Sequence, residues 1–417
     1  MLPARARNSS PPLHRLVFVA RFPPWPMTSG APIRIHRLLT GLAAVFDVTL
    51  VAHARARGGS GPGGDPAELL PALPGVRYVP VAAHPGNKRA AQLVSLSGRR
   101  SHGYGRYATP ALRRAVLAAA RGADLVHFDD PGSAMSGRVP GALNVVAPHD
   151  IESVITRGAG AGAGWARRAF ASIDGRKQAR EERTVWRQMD LCVAVSELDA
   201  ALLRAAGARQ VAICPNGTDP VAWLGVPRRA RDETVRLLFV GNGEFQPNAR
   251  GLQWLIEDVL PRLPASAPMV LDVVGRPPAR PVRSQGVRYH GEVPDVRRHY
   301  ERAHIAVAPI PFGSGTRLKI VEAMAHGRPV VSTGAGAEGL PAQPGRHYLE
   351  GDSAADFAAA LTRLSQALIG GDLWVAGMMR AARLVAERLF WPSIASDLAD
   401  RYLAAIDGEA VGEVRRA

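Results

Sequence analysis

The chain is poor in lysine, cysteine and long apolar runs, and each shortage removes a class of function. Only three lysines occur in 417 residues, Lys88, Lys177 and Lys319, so chemistry that needs a pyridoxal-type lysine has almost nowhere to sit. Two cysteines, Cys192 and Cys214, offer no disulfide framework and no metal-type spacing. Both fall in apolar runs and read as small core residues. No stretch reaches the roughly 18 apolar residues that a membrane-spanning helix requires. The first apolar run, Leu16 to Ala20, is too short for a signal-peptide core and is closed by Arg21, so the expected location is the cytoplasm.

What is abundant is arginine. The formal charge is +16, with 52 Lys and Arg against 36 Asp and Glu, and the basicity is almost wholly arginine. It is scattered, with no long basic run, no C-x-x-C finger and no aromatic RNA-binding box, which argues against a nucleic-acid partner. Attraction to phosphorylated ligands, or peripherally to an anionic membrane surface at the inner face of the cell membrane, remains open. Apolar residues make up 47% and charged residues 21%, an ordinary globular balance for a chain long enough to hold two cores.

Residues 1–13 are polar and proline-rich and read as a disordered tail. Strand candidates then alternate with helix candidates: strands at Arg15–Ala20, Val48–Val51, Asp124–Phe128, Leu143–Ala147, Leu191–Val195 and Val211–Cys214. Helices are expected at Pro32–Ala44, Trp165–Met189 and Glu197–Ala206, the last capped by Ser196 with Asp199 three residues on. The segment Pro215-Asn216-Gly217 marks a turn near the end of this half. A second series follows a charged link. Strands are expected at Val235–Val240, Met269–Val274, Val287–Tyr289, Ile305–Ala308 and Pro329–Ser332, and helices at Ala249–Leu260, Val296–Ala303 and Thr316–Ala325. Such alternation predicts an α/β protein with two doubly wound parallel sheets, residues 14–220 and 221–390, facing a cleft at the carboxyl ends of their strands.

The densest chemistry lies in Phe312–Leu340. Its first part reads as strand, glycine-rich loop (Gly313-Ser314-Gly315-Thr316), helix, glycine stop, strand. Glycines let the backbone approach a ligand, and amides at a helix start form an anion site. Arg317 and Lys319 add full positive charges. Glu322, less than two turns into the helix, can accept hydrogen bonds from sugar hydroxyls. Phosphate plus ribose is half of a nucleotide-diphosphate sugar.

This run resembles the signature of the retaining glycosyltransferases of family four, which have the GT-B fold. The likeness extends to Ser332–Leu340, Phe239-Val240-Gly241, Pro247-Asn248, Val193–Glu197 and Ile213–Asp219. The resemblance implies two Rossmann-like domains and a C-terminal helix, residues 391–410, that crosses back onto the first. It also implies transfer from a UDP- or GDP-sugar to a glycan or lipid-linked acceptor, of the kind found in exopolysaccharide and cell-surface polysaccharide synthesis. Glu322 would bind the donor ribose, and the amides of Gly315, Thr316 and Arg317 would face the diphosphate or the donor sugar.

The chain also departs from the family pattern. Ser314 stands where many relatives have a donor-sugar glutamate. The basic pair that relatives carry after Gly241 is missing, so Arg317, Lys319 or Arg276 would substitute. In the first half, Ser29 and Gly30 occupy the place of the family's glycine-rich loop. Pro148-His149-Asp150-Ile151-Glu152 resembles its His-Asn-x-Glu segment, which makes His149 a contact of the donor sugar or leaving phosphate and Asp150 an acceptor contact. Asn216 joins this acceptor-side set. No Asp-x-Asp triplet occurs, so neither a metal nor a resident cofactor is expected. A sugar-nucleotide epimerase on the same fold and a non-catalytic sugar-nucleotide-binding protein remain as alternatives.

Overall fold

A computed structural model of the chain describes residues 13–25, 27, 30–54, 73–82, 95, 98, 100–105, 107–160, 164–227, 233–265, 268–312 and 318–409. Two parallel sheets organise it. The first holds β1 (Arg15–Ala20), β2 (Asp47–His53), β3 (Val76–Val81), β4 (Leu125–Phe128), β5 (Leu143–Val146), β6 (Leu191–Ala194) and β7 (Val211–Ile213), in the spatial order β3-β2-β1-β4-β5-β6-β7. The second holds β8 (Val235–Val240), β9 (Met269–Val274), β10 (Val287–Gly291), β11 (Ile305–Ala308), β12 (Val330–Ser332) and β13 (Leu349–Glu350), in the order β10-β9-β8-β11-β12-β13.

Strands buried on both faces must be apolar throughout, and β4 (Leu-Val-His-Phe), β6 (Leu-Cys-Val-Ala) and β11 (Ile-Ala-Val-Ala) are buried at every position. Cys192 and Cys214 are free and buried, as their apolar settings predict.

The longer helices cover the faces: α1 (Gly30–Leu42), α2 (Pro110–Ala119), α3 (Glu152–Gly160), α4 (Trp165–Gln188) and α5 (Glu197–Ala205) in the first half. The second has α6 (Gln246–Trp254), α7 (Arg297–Arg302), α8 (Leu318–His326), α9 (Ala354–Gly370) and α10 (Leu373–Glu387), and the series ends with α11 (Trp391–Ile406). The Ser196 cap expected for α5 forms, its Oγ accepting from the Asp199 amide at 3.1 Å. Two starts lie earlier than expected: α1 opens at Gly30 rather than Pro32, and Pro247 at the first turn opens α6 at Gln246. Trp391-Pro392 opens α11. Helix α6 runs into a π turn (Leu255–Val259) and then a 3-10 turn at Leu260–Arg262, where Pro261 has no amide to continue an α-helix.

In each sheet the strand order reverses once, between β1 and β4 and between β8 and β11. Loops leaving the two sides of a reversal part to opposite faces and open a crevice, where ligands of doubly wound sheets lie. The chain passes between the halves twice, and the two passages touch. The Thr218 amide donates to Leu389 O at 2.9 Å and the Trp391 amide to Thr218 O at 3.0 Å. Helix α11 then packs along α1, Ala395 against Gly41. Among the described residues no helix is long and apolar enough to cross a membrane.

Candidate active site

The cleft between the halves holds a cavity of about 370 Å³. Its walls come from the carboxyl ends of strands in both sheets: Gly217, Thr218 and Asp219 after β7, Gly241 after β8, Gly275 after β9 and Glu292–Arg297 after β10, closed by α1, α8 and Trp391.

Glu322 reaches this cavity from α8. The Tyr300 hydroxyl donates to its Oε2 at 3.0 Å, and the Tyr300 ring is itself stacked on His326 with centroids 4.5 Å apart. Burial pushes the Glu322 carboxyl up from its ordinary range to about 7, against the Tyr300 hydrogen bond, with Asp219 and Asp295 adding repulsion. A carboxyl held so far from its ordinary value in a cleft makes Glu322 a candidate for a functional position. His326, one turn on, is driven the other way, to about 4, by burial and by Arg328.

Lys319 lies one turn before Glu322. Its Nζ donates to Asn248 Oδ1 at 2.7 Å and sits 4.1 Å from the centre of the Phe239 ring. It also borders Gly241, where a Cβ would come within 3.0 Å of Nζ. The lysine is therefore held against the turn after β8, at the reversal between β8 and β11. Gly327 ends α8 at φ 70°, and a side chain there would collide with the Trp223 indole, so the glycine stop is required twice over.

Arg276 stands at the rim of the cavity, where one of its partners, Glu292, is a wall residue. It binds Glu244 at 3.1 Å and Glu292 at 3.3 Å, tying the loops after β8 and β10 together at the rim. Gly313, Ser314, Gly315, Thr316 and Arg317, and Ser29 in the first half, lie outside the described residues.

In the first half, Gly30 opens α1 and faces the start of α8, where a Cβ would come 3.2 Å from Leu318 Cδ1. His149 and Asp150, past the end of β5, line a smaller cavity of about 140 Å³ with Arg21, Asp129, Asp130 and Glu152. His149 Nε2 lies 2.6 Å from Asp129 Oδ2. Arg21 binds Asp130 at 2.6 Å and Glu152 at 3.0 Å. Glu152, the first residue of α3, thus serves an ion pair at the reversal between β1 and β4. Asn216 turns inward: its Oδ1 accepts from Arg34 at 2.9 Å, beside the bonds from Arg34 to Pro215 O and Cys214 O. It anchors the loop whose next residues, Gly217 to Asp219, form the cleft wall.

Sequence reasoning missed several wall residues. Arg37 of α1 pairs with Asp219, another wall residue of the first half, at 2.5 Å, and Tyr300 supports Glu322. Asp129 and Asp130 stand directly past the end of β4, a position that could have marked them. Among the described residues no group of three or more His, Cys, Asp and Glu could hold a metal ion.

Two family models match the chain, one described as "Glycosyl transferase 4-like domain" over residues 29–217 and one as "Glycosyl transferases group 1" over residues 234–367. No curated protein matches it by sequence. Among solved structures it is similar to sucrose-phosphate synthase from Thermosynechococcus elongatus, at 18% identity and a TM-score of 0.67, over 95% of this chain and 100% of that one. It is also similar to HepE from Anabaena, solved with UDP-glucose, at 15% identity and a TM-score of 0.61, over 94% and 100%. A third is WaaG, a glycosyltransferase involved in lipopolysaccharide biosynthesis, at 16% identity and a TM-score of 0.63, over 92% and 98%. At these identities the likeness to solved structures is one of fold. The family models together span most of both halves, and the chain belongs to the group 1, family-four glycosyltransferases of the GT-B fold.

Proposed function

We propose that the protein is a retaining, metal-independent glycosyltransferase that moves a sugar from a nucleotide-diphosphate donor to a hydroxyl of a glycan or lipid-linked acceptor. The observation that carries this reading is Glu322. Its carboxyl faces the cleft between the halves, raised to about 7 and one turn from Lys319. A carboxylate there accepts hydrogen bonds from ribose hydroxyls, and Lys319 beside Gly241 offers charge to the diphosphate. The glycine-rich segment 313–317 would complete the phosphate site. A fold-level neighbour solved with UDP-glucose supports a nucleotide sugar as donor, and the surplus of positive charge suits a phosphorylated donor or an acceptor carried at an anionic membrane surface. Surface-glycan assembly is the setting that fits such an acceptor.

In the reaction the bond from the anomeric carbon to the leaving phosphate oxygen breaks, and a bond to the acceptor oxygen forms on the same face. The acceptor proton passes to the departing diphosphate. No protein nucleophile is needed, and the work of the protein is positioning and charge stabilisation. Lys319 and Arg317 would balance the charge that builds on the diphosphate, and His149 would contact the donor sugar or leaving phosphate from the first half.

The test is release of nucleoside diphosphate from a panel of donors, with and without acceptors. Release that depends on acceptor, with a glycosylated product of unchanged anomeric configuration, supports the proposal. Donor binding without turnover across the panel would favour a non-catalytic binding protein. In the active pair, Glu322→Ala should lower kcat/KM about 10- to 100-fold, the cost of losing a hydrogen bond to a charged group. Near-normal activity of a folded variant removes Glu322 from the site.

A further inference from the structure

Four side chains form a directed chain from the last helix to the small cavity of the first half. Tyr402 on α11 lies with its hydroxyl 2.6 Å from His127 Nδ1. Asp129 Oδ2 is 2.6 Å from His149 Nε2, whereas His127 Nε2 approaches Asp129 Oδ1 only to 3.8 Å. The latter is an electrostatic contact rather than a hydrogen bond, between two buried atoms that have no other hydrogen-bond partner among the described residues. We propose that Asp129 and Tyr402 are positioning residues that hold His149 in one ring orientation and one tautomer, with the proton on Nε2. The proposal rests on the role given to His149 above and adds two residues from outside the cleft lining of the second half.

The chain has a direction because each member has only one consistent protonation. His127 is wholly buried, and its ring is stacked on Phe18 at 4.1 Å with an angle of 15°, so it cannot turn. Burial lowers its pKa against the pull of Asp129, so the ring is neutral and carries one proton. Burial also keeps the Tyr402 phenol protonated. If Tyr402 donates to Nδ1, the His127 proton sits on Nε2 and faces the Asp129 carboxylate. The opposite tautomer would set a lone pair against a buried negative charge. Burial opposes ionisation of Asp129, but His149 and His127 outweigh it and hold the carboxyl below the usual range. An ionised carboxylate only accepts, so His149 must donate from Nε2. That leaves Nδ1 as the ring nitrogen not engaged by Asp129.

Asp129 is not spent on local structure. That duty belongs to its neighbour Asp130, whose Oδ1 accepts from the amides of Gly132 and Ser133 and pairs with Arg21. Among the described residues the Asp129 carboxylate is hydrogen-bonded to His149 through Oδ2, and its Oδ1 has the titratable His127 Nε2 as a neighbour at 3.8 Å. The other charged groups around His149 are Arg21, Asp130, Asp150 and Glu152, which line the same cavity, and Arg34 acts on His127 from α1. Helix α11 follows directly from the second passage between the halves, so Tyr402 ties the orientation of His149 to the seating of that helix.

The experiment uses the full chain labelled with 15N-histidine. The wild-type spectrum should show His149, assigned by loss of its signals in His149→Ala, protonated on Nε2. A proton on Nδ1 alone overturns the proposal whether or not the protein transfers sugar. In the transfer assay, Asp129→Asn should lower kcat about 10- to 100-fold with the KM for donor and acceptor little changed. Tyr402→Phe, which keeps the packing, should lower kcat by less and shift the same His149 signals. An unchanged kcat in both variants, or a loss confined to KM, overturns it. Should Asp129→Asn fail to fold, the wild-type tautomer and Tyr402→Phe decide alone. Absence of transfer in the wild type would refute the proposed function and leave the tautomer result standing.

Discussion

Glu322 shows what the burial of one carboxyl costs in stability and what the proposed site would gain from it. Its carboxyl titrates near 7 rather than near 4.5, chiefly because burial penalises the charge. A carboxyl raised on folding binds its proton more tightly in the native state, so folding stability is greatest below the unfolded value and falls as pH rises through 7. Glu322→Gln removes that loss. The advantage of the variant over wild type should be larger at pH 8 than at pH 5 and vanish toward pH 4, as thermal unfolding across these values will show. For the donor the sign is reversed. The ionised form is the better acceptor for ribose hydroxyls, so the donor should bind more tightly as pH rises from 6 to 8, and less steeply in the glutamine variant. A pH-independent donor affinity in wild type would show that the carboxylate does not meet the ribose. The burial that makes the carboxylate costly is also what makes its hydrogen bonds strong once a ligand completes them.

At the scale of elements, the sequence was most legible where strands are apolar throughout and where a cap or glycine ends a helix. Strands β1, β8, β9 and β11 fall where apolar runs place them, and the cap at Ser196 forms as its spacing predicts. Strand β3 escaped because it is the sheet edge, and its half-exposed Val-Arg-Tyr-Val-Pro-Val shows neither alternation nor an unbroken apolar run. Helices α9 and α10 escaped because alanine fills both core and surface positions, which blurs the contrast between faces. Glu322 and Lys319 were readable because one helix turn carries both. Tyr300 and Asp129 were not, because their roles come from partners 22 and 20 residues away.

The crossing of the two linking passages belongs to the same scale. Gly217 was readable only as part of a turn, yet a Cβ there would stand 2.4 Å from Leu389 O and 2.6 Å from Ile394 Cδ1. Gly217→Ala must push the passages apart or distort the start of α11. It should cost about 1–3 kcal/mol, the usual penalty of overpacking, measured by urea unfolding. A neutral substitution would mean the crossing is looser than its backbone hydrogen bonds imply.

For the molecule as a whole, the question is what balances the charge of a departing diphosphate. The chain carries a formal +16, but scattered surface arginines act only through the long-range field, which salt screens within about 10 Å at 0.1 M. A charge that works in the transition state must be fixed beside the phosphates. Of the three basic residues considered for that place, Arg276 is bound by two carboxylates at the rim. Lys319 is instead anchored against the turn after β8, where the sheet order reverses. A metal ion is the usual alternative, and it needs a set of carboxylate or histidine ligands. The four acidic groups of the cavity are otherwise placed: Asp219 on Arg37, Glu292 on Arg276, Glu322 on Tyr300 and Asp295 on the Arg297 amide. Turnover should therefore be unchanged by EDTA and not raised by added Mg²⁺, while Lys319→Met, close in length to lysine but uncharged, should lose kcat at every metal concentration. A loss with EDTA that Mg²⁺ restores would move the charge-balancing role from Lys319 to a metal and overturn the metal-independent part of the proposal.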